Sequence, residues 1–449
     1  MNTHPLIRWA AVAGTVASIA LVSACSSPTA ADPTPTPGGS VSVWIQNGAQ
    51  SEAIQSHLET WGEENDTTIE VTVQASDSYL DALQLALKTG KGPDVFDASS
   101  AQVLAPAGFL QPLSDVLSDD DKAAYASALQ KPSPYIYNDE TYAVPTTADT
   151  TRLAYNKEIF ENAGLDPEAP PTTFSEVVEA CEAIEASGQG VYCFGLPLKW
   201  VGWASWMLDP AITDSDSDLT GKGIFNVDTQ EYESDRYAPG VELYRSLITN
   251  GWAYPGASSL ENDAMRAAFA NGEIAMFVSA SWDVGVLNET NATKVDWAAG
   301  AVPVPDGEEA VRQAMNAGTP YAINAASENA SGAAAVLNVL IGEDLNTELG
   351  KTGLTFPIRE DAAATAADSA TWPQYADYAP SKSDEAWFVA PTALLNVQGE
   401  NFRDALARLI LGAEDIDAGL DAVSEVYNTA FEEAITTGLI DEANFSRSE

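Results

Sequence analysis

Residues 41–97 alternate between strand-like and helix-like patterns, and this order limits the folds open to the chain. Strand-like apolar runs occupy residues 41–45, 69–73 and 95–96. Apolar side chains at helical spacing separate them, first at Ile54, Leu58 and Trp61 and then at Leu80, Leu83 and Leu87. A β-α-β-α-β order predicts an α/β fold in which a parallel sheet has helices on both faces.

The same alternation returns after residue 150. Thr173 to Glu176 form a capping-box pattern that begins a helix running to Ala186. Further helical or strand patterns cover residues 260–270 (helix), 274–278 (strand), 333–341, 402–411 and 420–434 (helices). No internal repeat of roughly 20 to 50 residues is visible, which argues against a solenoid. We therefore predict two α/β lobes.

The N-terminal segment has the pattern of a secretory signal. Arg8 precedes a small, apolar run over residues 9–24 that ends at Cys25. This run is shorter than the roughly 20 apolar residues of a membrane span. It is similar to a bacterial lipoprotein signal, which implies that residues 1–24 are removed and that Cys25 carries lipid. An ordinary signal peptide cut elsewhere is the alternative. Residues 25–40, rich in Pro and Thr, cannot bury a core and are expected to be a tether.

The charge balance restricts the partners. The chain has 20 basic and 66 acidic residues, a formal net charge of −46. Such a field repels phosphates, so we expect no nucleic-acid partner, and it favours neutral or cationic ligands only weakly. Most carboxylates are expected to be solvated surface. The acidic run at residues 214–218 is interpreted as a solvated loop, with calcium binding left open because it lacks the Gly and distal Glu of a calcium hand.

Two cysteines remain after Cys25. Cys181 and Cys193 are separated by a turn-forming Ser-Gly-Gln-Gly sequence, and in an oxidising exterior they are expected to form one local disulfide. Two free thiols are the alternative.

Catalytic motifs are scarce. His57 is the only histidine after the signal, and no Gly-x-Ser-x-Gly elbow, metal-ligand spacing or Gly-rich phosphate loop accompanies it. We expect no catalytic residues, no metal and no cofactor. Paired carboxylates for glycosidase chemistry cannot be located from the sequence, so a secreted glycoside hydrolase stays as an alternative.

Aromatic residues favour a sugar site. Trp200, Trp203 and Trp206 cluster within seven positions. A broad apolar indole face suits the C–H face of a pyranose, while neighbouring polar groups can bond its hydroxyls. Core packing is the alternative for any one of these residues.

Several segments resemble the extracellular solute-binding proteins of family 1, the maltose-binding-like sugar receptors of ABC importers. The similarity is strongest over residues 153–165, with Tyr-Asn-Lys and then Ala-Gly. It extends to Gly-Pro-Asp-Val-Phe-Asp at 92–97, Tyr-Ala-Val-Pro at 142–145, the capping box above, and residues 269–276 followed by Ser281-Trp282.

The resemblance implies a two-lobed periplasmic-binding-protein-like fold of the class II type, with mixed sheets flanked by helices. Three hinge crossings are expected near residues 145–149, 301–305 and Lys351. The N-terminal lobe would then comprise residues 41–146 and 303–350. The C-terminal lobe would comprise 147–302 and 351–449.

The ligand is expected between the lobes. The resemblance, together with the rule that ligands lie beyond the carboxyl ends of parallel strands, gives as ligand-binding residues Asn47, Gln50, Asp97, Thr147, Asp149, Trp200, Trp203, Trp282, Asn316, Thr319 and Arg359.

It also implies a monomeric, lipid-anchored receptor on the outer face of the bacterial cytoplasmic membrane. This receptor would hand a carbohydrate to permease subunits of an ABC importer. A polyamine or another small solute is the alternative ligand.

Overall fold

The computed structural model describes residues 37–48, 50–75, 78–215, 224–310, 313–353, 355–380, 384–388 and 390–446. The predicted signal, Cys25 and most of the tether lie outside the described residues, as do residues 216–218 of the acidic run. All the described residues belong to one compact unit.

The strands in chain order are β1 (Gly39–Gln46), β2 (Thr67–Gln74), β3 (Val95–Asp97), β4 (Ile136–Tyr137), β5 (Glu140–Thr141), β6 (Val144–Asn156), β7 (Tyr192–Phe194), β8 (Phe225–Asn226), β9 (Glu231–Tyr232), β10 (Ile274–Ala280), β11 (Trp297–Gly300), β12 (Gln313–Ile323) and β13 (Asp384–Ala386).

The α-helices are α1 (Ser51–Glu64), α2 (Tyr79–Lys88), α3 (Ala101–Leu104), α4 (Asp119–Ala124), α5 (Lys157–Asn162), α6 (Phe174–Ser187), α7 (Gly202–Ser215), α8 (Ala238–Thr249), α9 (Asn262–Ala270), α10 (Asp283–Gly285), α11 (Ala330–Leu340), α12 (Glu343–Lys351), α13 (Glu360–Ala367), α14 (Tyr375–Tyr378), α15 (Phe402–Leu411) and α16 (Ile416–Thr436). Short 3-10 turns cover Asp235–Tyr237, Ala257–Ser259, Pro391–Leu394 and Glu442–Phe445, and a π-helical turn covers Val286–Thr290.

One mixed sheet organises the fold. Its strand order is β2-β1-β3-β12-β6-β10-β7, with β11 also pairing with β6 and β13 with β12. The predicted parallel pairing holds for β1 with β2 and β3, and β10 also pairs in parallel with β7. The centre is antiparallel, because β12 lies between β3 and β6 and runs against both. Helices flank this sheet, which confirms the predicted class.

The two long central strands carry the chain between separate hydrophobic cores. Along β6, Ala148 belongs to a core with Val41 and Ile323, while Leu153 belongs to a core with Phe194 and Leu406. One set of cores draws on residues 41–148 and 315–358. The other draws on residues 153–302 and 356–445. The chain therefore changes core within β6, between Val302 and Met315, and again near residues 356–358.

Most helices follow the sequence pattern, with one correction in α2. Leu80 was expected on the buried face but is 42% exposed, and the buried stripe instead runs through Tyr79, Leu83 and Leu87. Positions four apart lie on one helix face, so Tyr79 lies on the same buried face as Leu83 and Leu87, and Leu80 does not.

Two local predictions around α6 are confirmed. The Thr173 side chain accepts from the backbone N–H of Glu176, while the Glu176 carboxylate accepts from the backbone N–H of Thr173, a complete capping box. Cys181 in α6 and Cys193 in β7 form the expected disulfide, with a Cα–Cα distance of 5.2 Å. Within the described part of the chain, no helix combines the length and apolar character that a membrane span requires.

Candidate functional site

Two adjoining cavities lie beside the central strands. The larger has a volume of about 530 Å³ and the smaller about 200 Å³, and both are lined by Ser99 and Thr319. The smaller cavity contains the predicted residues Asn47, Gln50 and Asp97. The larger contains Asp149 and Asn316. The structure thus brings these five residues and Thr319 together around two cavities that share part of their lining.

A kink in β12 shapes this space. Thr319 has a φ of +44°, which a β-branched residue rarely adopts. The preceding residue is Gly318, and a Cβ there would lie 2.8 Å from Thr147 Oγ1 and 3.0 Å from Asp149 Oδ2, so a larger residue would displace these side chains. The kink exposes the Thr319 hydroxyl to both cavities.

Hydrogen bonds hold Thr319 in this conformation. Gln50 Nε2 and Thr147 Oγ1 donate to its hydroxyl over 3.5 Å and 3.3 Å, and Thr146 Oγ1 donates to its carbonyl over 3.0 Å. Thr147 is buried, so it reaches the cavity only through Thr319. The neighbouring structure determines the strained backbone, as is common at ligand sites.

Asp149 points out of an otherwise buried strand. Every residue of β6 except Asp149 is buried. Its Oδ2 accepts a 2.9 Å hydrogen bond from Nδ2 of Asn316, its partner across the antiparallel pair. The larger cavity therefore has one amide and one carboxylate in a fixed mutual orientation.

Asp97 ends β3 in the smaller cavity. Burial raises the pKa of its carboxyl, while hydrogen bonds from Ser99 and Gln46 oppose that rise. Its Oδ1 accepts from the backbone N–H and the hydroxyl of Ser99 at 3.0 Å and 2.5 Å. A ligand hydroxyl could use the second carboxylate oxygen.

Aromatic side chains that the sequence analysis missed form a wall of the larger cavity: Tyr135, Trp387 and Phe388. Tyr135 is fixed by a 2.5 Å hydrogen bond to the Ala317 carbonyl. The other two follow β13, which pairs in parallel with the start of β12. In the sequence, the adjacency of Trp387 and Phe388 was the only feature that could have indicated an aromatic wall here.

The predicted tryptophans lie elsewhere. Trp200 and Trp203 line a different cavity of about 400 Å³, together with Lys199 and Arg266. Ring centroids are 5.8 Å apart for Trp200–Trp203, 4.3 Å for Trp203–Trp206 and 5.8 Å for Trp206–Trp282. Trp282 therefore continues an aromatic ladder and lines neither of the two adjoining cavities.

Arg359 also lies outside both cavities. Its guanidinium forms ion pairs with Asp121 at 2.8 Å and Asp361 at 2.8 Å, and it lies over the ring of Tyr125 at 5.9 Å. These contacts join α4 to the start of α13, so Arg359 has a structural role here.

Comparisons with known proteins point to one family. The sequence profile of the bacterial extracellular solute-binding proteins matches residues 47–347. A putative binding protein of Brucella abortus is 23% identical over 262 residues, which cover 57% of this chain and 59% of that protein. An sn-glycerol-3-phosphate-binding periplasmic protein of the same species is 29% identical over 226 residues, 47% of this chain and 48% of that protein.

A solved structure extends the likeness in fold to most of the chain. The cyclic alpha-maltosyl-1,6-maltose binding protein from Arthrobacter globiformis superposes with a TM-score of 0.70, covering 88% of this chain and all of that one at 21% identity. The curated relatives are matched over about half to three-fifths of their own length.

Proposed function

Because the chain belongs to the bacterial extracellular solute-binding protein family, we propose that it captures a sugar or oligosaccharide and delivers it to the permeases of an ABC importer. It binds its ligand and does not transform it. Its relatives include a protein named for glycerol 3-phosphate, and its fold is shared with a protein that binds a cyclic maltose derivative.

The lining of the two adjoining cavities carries this proposal. Hydroxyl and amide groups of Ser99, Gln102, Asn316 and Thr319 can exchange hydrogen bonds with sugar hydroxyls. The aromatic faces of Tyr135, Trp387 and Phe388 in the same lining suit the C–H faces of a ring. The larger cavity, with a volume of about 530 Å³, is of the size that small ligands occupy in proteins, about 300 to 1,000 Å³.

Ligand capture is proposed to close two lobes, comprising residues 41–146 with 303–350 and residues 147–302 with 351–449. The division of the hydrophobic cores along β6 and β12 supports this arrangement. Contacts made to both lobes only in the shut form would bias a hinge towards closure. The tryptophan ladder from Trp200 to Trp282 would then form the facing wall.

The chain is proposed to reside on the outer face of the cytoplasmic membrane, anchored through lipid at Cys25 after removal of residues 1–24. Residues 25–40 would hold the receptor off the bilayer. Cys25→Ser should move the protein from the membrane fraction to the medium. Retention of the variant on membranes would contradict the anchor.

The alternative ligands and activities have less support. Among the described residues, the two adjoining cavities present only the carboxylates of Asp97 and Asp149, too few to favour a polyamine. His57, the histidine that a Ser-His-Asp hydrolase would need, lies 3.1 Å from Glu348 and outside both cavities.

Thermal unfolding of residues 37–449 against a panel of mono- and oligosaccharides tests the proposal. A ligand at one hundred times its dissociation constant adds about 2.7 kcal/mol to the free energy of unfolding and raises the midpoint. A shift with a sugar that is recovered intact supports a receptor. A shift only with a polyamine, or recovery of a cleaved sugar, would overturn the ligand class or the absence of catalysis.

A further inference from the structure

Arg403 is an arginine without a partner. It lies in the first turn of α15, is exposed, and lines the larger cavity. It makes no hydrogen bond or ion pair with any described residue. The other arginines that the structure describes all have carboxylate or carbonyl partners: Arg152, Arg236, Arg245, Arg266, Arg359 and Arg408.

An arginine without an acidic partner is unusual in a chain with so many carboxylates. Acidic residues outnumber basic ones by 66 to 20, so an arginine on this surface has many carboxylates to choose from. The guanidinium has five N–H donors in a planar fork that matches the oxygens of a carboxylate or phosphate. A group of this kind left open at a cavity indicates a partner that arrives with the ligand.

A second donor in the same wall also lacks an acceptor. Trp387 lines the cavity, is only 8% exposed, and its buried Nε1 has no hydrogen-bond partner among the described residues. An indole N–H and a guanidinium can only donate. A buried donor without an acceptor costs free energy that a ligand oxygen would recover.

The carboxylates nearby are already engaged. Asp149, the other charged residue that lines the larger cavity within the described part of the chain, accepts from Asn316. Asp97, in the smaller cavity, accepts twice from Ser99. Neither carboxylate forms an ion pair with Arg403, so its guanidinium is open to an acceptor that arrives with the ligand.

We propose that the ligand carries an anionic oxygen group, a carboxylate or a phosphate, which the Arg403 guanidinium binds with help from Trp387 Nε1. This inference rests on the proposed function and narrows its ligand to an acidic or phosphorylated sugar. The chain's overall negative charge disfavours such a ligand at long range. Recognition is therefore local, through two donors in the cavity wall.

Calorimetric titration of the full chain in detergent with three matched ligands tests the inference: glucose, glucuronate and glucose 6-phosphate. They share one ring and differ at the group on carbon 6. We expect one of the two anions to bind about 10- to 100-fold more tightly than glucose, the range for hydrogen bonds to charged groups. Which anion binds more tightly distinguishes a carboxylate from a phosphate.

Three variants locate the recognition. Arg403→Gln should remove the preference for the anion, and Trp387→Phe, which keeps a ring but loses the donor, should weaken anion binding severalfold. Arg236→Gln, at a paired arginine outside the cavities, should leave the affinities for glucose and for the preferred anion unchanged.

Equal affinity for glucose and both anions, or equal effects of Arg403→Gln and Arg236→Gln, would overturn the inference while leaving sugar capture intact. Failure of these ligands and of the whole sugar panel to bind would overturn the proposed function itself.

Discussion

Nδ2 of Asn316 donates a 2.9 Å hydrogen bond to Oδ2 of Asp149, the residue directly opposite it across β12 and β6. The pair links the two strands that carry the chain between its cores, and both side chains face the larger cavity. The proposed ligand site and the geometry of the central strands therefore share this hydrogen bond.

Asn316→Ala should lower affinity for the captured sugar about tenfold, because the variant loses a ligand contact and leaves Asp149 unoriented. The free energy of unfolding should fall by only about 1 kcal/mol, the net value of one hydrogen bond. Titration and urea unfolding measure the two effects. Asn162→Ala, at the exposed end of α5, is the control; a large loss of stability without loss of affinity would contradict the prediction.

Thr319→Gly should lose ligand affinity without losing stability. Glycine adopts a φ of +44° freely, which removes backbone strain of about 1 to 3 kcal/mol, but the hydroxyl that faces both cavities is gone. Chemical unfolding and titration separate the two effects. Thr68→Gly, on an exposed position of β2 with ordinary backbone, should instead lower the free energy of unfolding. If Thr319→Gly lowers the free energy of unfolding as much as Thr68→Gly does, the backbone at Thr319 is not strained.

Asp97→Asn should stabilise the protein at neutral pH and not at acid pH. Burial raises the pKa of Asp97, so its folded form holds a proton at a pH where the unfolded chain has released it. The ionised carboxylate therefore lowers stability above the folded-state pKa, and this cost disappears as the pH falls towards about 3.9, the ordinary value. Melting curves of the wild type and the variant from pH 7.5 to pH 4 measure the difference. Asp115→Asn, on the surface, is the comparison; a gain that persists unchanged at pH 4 would refute the assignment.

Cys181→Ser with Cys193→Ser should lower the free energy of unfolding by about 2 to 4 kcal/mol, because the disulfide closes a loop with a sequence separation of 12. Guanidinium unfolding with and without reductant measures this cost. The wild type should respond to reductant and the double variant should not. Equal midpoints for the oxidised wild type and the variant would exclude a stabilising disulfide.

Arg359→Gln should reduce stability while sparing ligand affinity. The variant leaves Asp121 and Asp361 without their guanidinium and removes the contact with Tyr125, which should cost about 3 kcal/mol for a largely buried pair. Unfolding and titration are again measured in parallel. Retained stability with a loss of affinity would restore the ligand-binding role that the sequence analysis assigned to Arg359.

Local patterns predicted local elements well. The helix predicted over residues 402–411 is α15, Phe402–Leu411, because its apolar positions recur at helical spacing and are buried. The capping box at Thr173 and the disulfide between Cys181 and Cys193 likewise depend on residues close in sequence.

The central strands could not be predicted in the same way. β6 and β12 place Pro145 opposite Pro320, and proline inside a central strand argues locally against a strand. The kink at Thr319 and the placement of Trp387 beside the start of β12 result from pairing between residues distant in sequence. The hydroxyl and amide side of the site was thus predicted by family resemblance, whereas the aromatic wall and Arg403 required the fold.

The sharing of one core by distant segments also sets the order in which the chain can fold during synthesis. Val41 and Val43, near the start of the folded unit, are packed in a core with Ile323 and Ile358. A nascent chain cannot complete that core until the ribosome has passed Ile358. Contacts so far apart in sequence form slowly, so we expect the newly made polypeptide to lack this core until the segment beyond Ile358 has been synthesised.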